Sequence, residues 1–159
     1  MTTPPPRPLR ADARRNRDLI VGTARTAFAS KGVDAPLEEI AKTVGVGQGT
    51  LYRHFPTRED LIAAAIQDDV DQLVRNSEKH AQGRDPFDAL AAWLREIAMF
   101  SRTYSGLPNR VLDASAGKSG SFAVVCNSLE SLTDRILVRA KEADQIRTNV
   151  TAEDVFLLA

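Results

Sequence analysis

The chain has 159 residues, 43% of them hydrophobic and 6% aromatic, with 21 basic and 21 acidic residues. That is enough apolar material for a soluble chain of one to two small domains, and no apolar run approaches the roughly twenty residues that a membrane span needs. A single cysteine excludes an intramolecular disulfide and two histidines supply no zinc set, so neither a metal nor a cofactor is expected.

The zero net charge hides a polarity. Residues 1–56 hold nine Lys or Arg against five Asp or Glu, while residues 57–159 hold twelve against sixteen. A basic N-terminal end is the electrostatic footprint of a DNA-binding module. The first residues, MTTPPPRPLR, lack the hydrophobic segment of a signal peptide, which points to a cytoplasmic protein. They are too proline-laden to fold alone, so residues 1–14 read as a flexible Pro/Arg-rich arm. Arg7, Arg10, Arg14, Arg15 and Arg17 then serve either as a solvated basic tail or as an arm on DNA phosphates or in a minor groove.

A first helix is expected over about 13–31, with Asp12 as its N-cap, Gly32 as its stop, and Ile20, Ala24, Ala27 and Phe28 on one face. A second follows over 37–44. Leu37, Ile40, Ala41 and Val44 share a face at i, i+3, i+4, i+7, behind Pro36 at the entrance. Gly45 can end that helix in the left-handed region, and Val46 turns the chain back to the core. A third helix over about 48–55 buries Leu51 and Phe55 and leaves Gln48, Thr50, Tyr52 and Arg53 outward, as groups that bond bases and phosphates. His54 has two readings, a phosphate contact or packing against the first helix. Thr57 to Asp60 form a capping box for a fourth helix running to about residue 79. Arg58 in its first turn opposes the helix dipole and therefore calls for a partner outside the helix, which a DNA phosphate would supply.

The stretch GVGQGTLYRHFPTREDL, with ARTAFASKG and EEIAKTVGV before it, resembles the signature of TetR-type transcriptional regulators. The resemblance covers Arg15 to about Val74. It departs from the pattern at Gly47, where many members carry a Ser or Thr that caps the recognition helix. It implies a helix-turn-helix head over 15–74 in a homodimer that sets two recognition helices in successive major grooves of a palindromic operator. It also implies repression, relieved by an unidentified small-molecule effector with the fourth helix as lever. Gln48 and Tyr52 are then expected at base edges, and Thr50, His54 and Arg58 at phosphates.

Beyond the head, residues 75–159 read as a helical effector-binding and dimerising domain. Asp85 and Pro86 open a helix reaching about 104, with Phe87, Leu90, Ala91, Leu94, Ile97, Ala98, Ser101 and Tyr104 on its face and with Trp93 and Phe100 beside it. A short helix is expected over 109–116 and a loop over 117–121. A long helix over 122–143 follows, with Val125, Leu129, Leu132, Ile136 and Ala140 inward. Thr151 and Asp154 cap a last apolar helix that leaves Phe156 and Leu157 exposed, so the chain reads as truncated. Trp93, Ile97, Phe100, Tyr104, Phe122 and Cys126 are either plain core or the lining of a pocket suited to an aromatic or lipophilic effector. Cys126 reads as an inert buried thiol or as a redox sensor.

The fold class expected is all-α. No nucleophile, base or metal set suggests catalysis. The remaining alternative is a ligand-independent helix-turn-helix architectural or protein-interaction module.

Overall fold

A computed structural model describes residues 7–107, 110 and 120–158. The described residues form helices and no strand: α1 (Arg7–Lys31), α2 (Leu37–Val44), α3 (Gln48–His54), α4 (Arg58–Ala81), α5 (Pro86–Thr103), α6 (Ser121–Glu142) and α7 (Ala152–Leu158). The short helix expected over 109–116 and the loop that follows it lie outside them, apart from Arg110 and the loop's last residues. So do the first six residues of the expected arm.

Most boundaries follow local chemistry. Gly45 ends α2 at φ 81°, and its amide and that of Val46 both return to the Ala41 carbonyl at 3.0 Å. Thr57 and Asp60 close a reciprocal capping box on α4. Asp85 accepts from the amides of Phe87 and Asp88 at the start of α5, behind Pro86. Thr151 and Asp154 repeat the device before α7.

Three expectations need correction. Helix α1 starts at Arg7, not near Ala13, and Asp12 lies inside it rather than capping it. A proline in the first turn is tolerated, because the amide it lacks has no intrahelical partner there; Pro8 therefore does not delay the helix. On α5, Phe87 is 52% exposed while Trp93 is 1% exposed, so the buried face is Ala89, Leu90, Trp93 and Ile97. The indole is held there by donating to Thr133 Oγ1 at 2.9 Å, which satisfies a polar group that would otherwise be costly to bury. Finally, Phe156 is buried at 8% and only Leu157 of that pair faces outward.

One continuous core runs from Ile20, Phe28, Ile40 and Leu51 through Leu61, Ile62 and Ile66 of α4 to Trp93, Leu129 and Ile136. Helix α4 is its spine: it packs on α1, α5 and α6. No described helix is long and apolar enough to cross a membrane.

Candidate nucleic-acid interface

Helices α2 and α3 form the helix-turn-helix, and the burial pattern sets which side of α3 is free. Leu51 and Phe55 are 1% and 2% exposed and lock one face to the core. Gln48 and Arg53 are exposed, Tyr52 is 45% exposed, and Thr50 and His54 are half-buried. The expected contact residues thus share the helix's outer and flanking faces. Arg53 folds along its own helix, with Nε donating to the Gly49 carbonyl at 3.3 Å and Nη2 to Thr50 Oγ1 at 3.5 Å. His54 is tilted against the adjacent Phe55 ring, with 6.4 Å between ring centroids. Gly47 is the N-cap of α3 and makes no side-chain cap bond.

Arg17, expected only as part of the basic tail or arm, lies within α1 beside the end of α3. Its guanidinium lies 5.2 Å over the Phe55 ring and ties α1 to the end of α3. The available signal was its place three residues before the buried Ile20.

Arg58 does find a partner outside its helix, but that partner is protein. Its Nη1 donates to the carbonyls of Val33 at 3.0 Å and Ala35 at 2.7 Å, at the α1–α2 turn. A guanidinium committed to two carbonyls between buried residues is a tie within the head, and the phosphate role expected for Arg58 is withdrawn.

The same turn is held from the body. The Val33 amide donates to the Ser105 carbonyl at 2.9 Å. Arg110 bridges Asp34 at 2.5 Å and Glu59 at 2.6 Å, and that bond holds the Asp34 carboxyl below the usual carboxylate range. Gly32, at φ +82°, lets the backbone pass so close to Ser105 that a Cβ would lie 2.8 Å from its carbonyl oxygen. Deeper in, Asp69 of α4 takes Arg25 of α1 on one oxygen and the Tyr104 hydroxyl on the other. Burial, followed by the bond to Asp69, pushes the Tyr104 phenol up to about 12.

The expected pocket is largely core instead. Trp93, Ile97, Tyr104, Phe122 and Cys126 are each at most 5% exposed, packed against neighbouring side chains. Of the six residues expected there, Phe100 lines an open groove between α4 and α5. Burial pushes the Cys126 thiol up to about 11, which disfavours the reactive thiolate a redox sensor needs.

Residues 20–65 match the family model of bacterial regulatory proteins of the tetR family, and residues 85–159 match that of the SbtR-like transcriptional regulator C-terminal domain. A TetR transcriptional regulator from Streptomyces coelicolor is 33% identical, with 89% of this chain and 81% of that chain aligned at a TM-score of 0.51. A second structure, described as the molecular basis for control of antibiotic production by bacterial hormones, shares the fold at 24% identity and a TM-score of 0.54. An HTH-type transcriptional regulator of Staphylococcus aureus is 44% identical over 67 residues, which are 42% of this chain and 36% of the relative. The match therefore spans about a third of the length of such relatives.

Proposed function

The chain belongs to the TetR family of transcriptional regulators, and on that premise we propose that it is a sequence-specific DNA-binding repressor, acting as a homodimer on a palindromic operator. The observation that carries the reading is the division of α3: one face is fixed by Leu51 and Phe55, and the other carries Gln48, Thr50, Tyr52 and Arg53 outward. A rigid short helix with an outer polar face fits the major groove, and two such helices in a dimer supply the base contacts that one lacks.

Gln48 and Tyr52 read base edges, and Thr50, Arg53 and His54 contact phosphate. Residues 15–74 act as the DNA-binding head, and the helices after it as the effector-binding and dimerising body. A small-molecule effector releases the operator by favouring a body conformation that moves α4, and with it the head. The hydrogen bonds that tie Ser105, Arg110 and Tyr104 to the head and to α4, with the Ser105 carbonyl accepting from Val33, support that coupling.

Selection from a random duplex library with the purified chain tests the proposal. The expected product is an inverted repeat; no enrichment would refute sequence-specific reading, and enrichment of single half-sites would refute the dimer. On the selected site, Gln48→Ala should lose discrimination at particular base pairs by about 1–3 kcal/mol per contact, with the salt dependence of binding little changed.

A further inference from the structure

The open groove between α4 and α5 has a volume of about 350 Å³, within the range of small-molecule sites. Its lining is ordered by chemistry along its length. Asp69 stands at the end nearest the head, and Glu96 at the other, facing Ser77. Asp69 and Ser77 are eight residues apart on α4, which is about 12 Å along a helix. Between the two ends Leu73, Met99 and Phe100 form an apolar strip beside Gln72 and Asn76, with Met99 70% exposed at its rim.

The two carboxylates are not equivalent. Asp69 is neutralised by Arg25. Glu96 is only 25% exposed, and its partners among the described residues are the Ser77 hydroxyl and a ring nitrogen of His80 at 3.1 Å. No Lys or Arg ion pair to it occurs among those residues. A sheltered carboxylate without a permanent cation, next to an apolar strip, is complementary to a molecule that brings both an ammonium and an apolar body.

We propose that this groove is the effector site and that its ligand is a small organic cation, with an ammonium at Glu96 and an aromatic or alkyl body lying on Leu73, Met99 and Phe100. The assignment rests on the regulator reading above and gives it a route. The Phe100 ring packs on Tyr104 at 5.1 Å between centroids, the Tyr104 hydroxyl holds Asp69, and Asp69 holds Arg25 of α1. A body pressed on Phe100 displaces Tyr104 and loosens the bond between α4 and the head helix.

The test is calorimetric titration of the full chain with phenylbutylamine, its neutral analogue phenylbutanol and its anionic analogue phenylbutanoate. The amine should bind at least about tenfold more tightly than the alcohol, which is the usual scale for one charge-assisted bond, and the carboxylate should not bind. Glu96→Gln should abolish the preference for the amine. Met99→Lys, on an exposed position that folding does not depend on, should weaken the amine and admit the carboxylate. Equal binding of amine and alcohol, no binding by any of the three probes, or an amine affinity indifferent to both substitutions would overturn the proposal. Anisotropy with the selected duplex completes the test: the amine should weaken DNA binding by the wild-type chain and not by Glu96→Gln, and amine binding without any effect on DNA would overturn the effector role. Selective DNA binding with no amine binding strikes this proposal alone; amine binding by a chain that selects no DNA strikes the regulator reading and the effector role with it, and leaves only the groove's preference for an organic cation.

Discussion

Arg58 shows how far a single residue could be read in advance. A cation in the first turn of a helix opposes the macrodipole, which marks it as needing a partner, but no local rule names that partner. The two carbonyls it binds belong to Val33 and Ala35, 25 and 23 residues away. Arg58→Ala should therefore destabilise the chain by about 1–3 kcal/mol, through two carbonyls left unmatched between buried residues. The slope of log affinity against log salt on operator DNA should stay at its wild-type value. Denaturant titration reads the first effect and a salt series the second; a slope smaller by one unit would restore the phosphate role. Tyr104 gives a prediction in pH. Its folded pKa, pushed up to about 12, lies above the ordinary phenol value of 10.0, so the stability it contributes is complete below pH 10 and is lost as pH rises through 12. Tyr104→Phe should remove that alkaline component, as followed by denaturation at a series of pH values.

At the scale of elements, the sequence was most legible where structure is set by neighbours. The start of α4 at Thr57, the start of α5 at Asp85 and the end of α2 at Gly45 were each marked by a cap or a breaker within a few residues. The α3 face was legible for a related reason, since Leu51 and Phe55 are one helical turn apart. What failed were decisions that local signals leave open. The N-terminus of α1 is one: the proline-laden start and Asp12 as a cap point to residue 13, whereas the helix begins at Arg7 with Pro8 in a first turn that accepts it. The face of α5 holds at Leu90, Ile97 and Tyr104 but fails at Phe87, because several apolar registers fit its sequence and only the partner helix selects one. Tertiary packing chose Trp93 over Phe87. The turn joining α1 to α2 is the element most sensitive to change. Gly32→Ala places a left-handed alanine against the Ser105 carbonyl and should lower the melting temperature by several degrees, as a loss of about 1–2 kcal/mol would. Scanning calorimetry reads it directly.

For the molecule as a whole, the sequence conveyed an all-α chain with a reading head and a second helical unit, but little of how the two are joined. The bonds from Arg25 to Asp69, from Val33 to Ser105 and from Arg110 to Asp34 span 44, 72 and 76 positions, and periodicity carries no information at that range. The choice between core and pocket stays open in the sequence for the same reason: aromatic residues at helical spacing look alike whether they line a cavity or fill a core. Phe28, 0% exposed in the α1 side of that core, tests its integrity. Phe28→Ala should cost roughly 3–5 kcal/mol and move a single unfolding transition seen alike by far-ultraviolet dichroism and Trp93 fluorescence. A fluorescence transition that stays in place while the dichroism transition shifts would mean that the two ends fold separately.

Helix α4 has a further consequence for anyone who would recombine such chains. Its apolar residues Leu61, Ile62, Ile66 and Val70 belong to one core that reaches α1 at one end and α6 at the other. A fragment cut at the family boundary near residue 65 would lose Ile66 and Val70 from the core and Asp69, the partner of Arg25 on α1, and would strip the opposite side of the spine bare. The head is therefore not a portable cassette. A chimera that grafts it onto another body should inherit the whole of α4, or solubility will fail before operator choice can be examined.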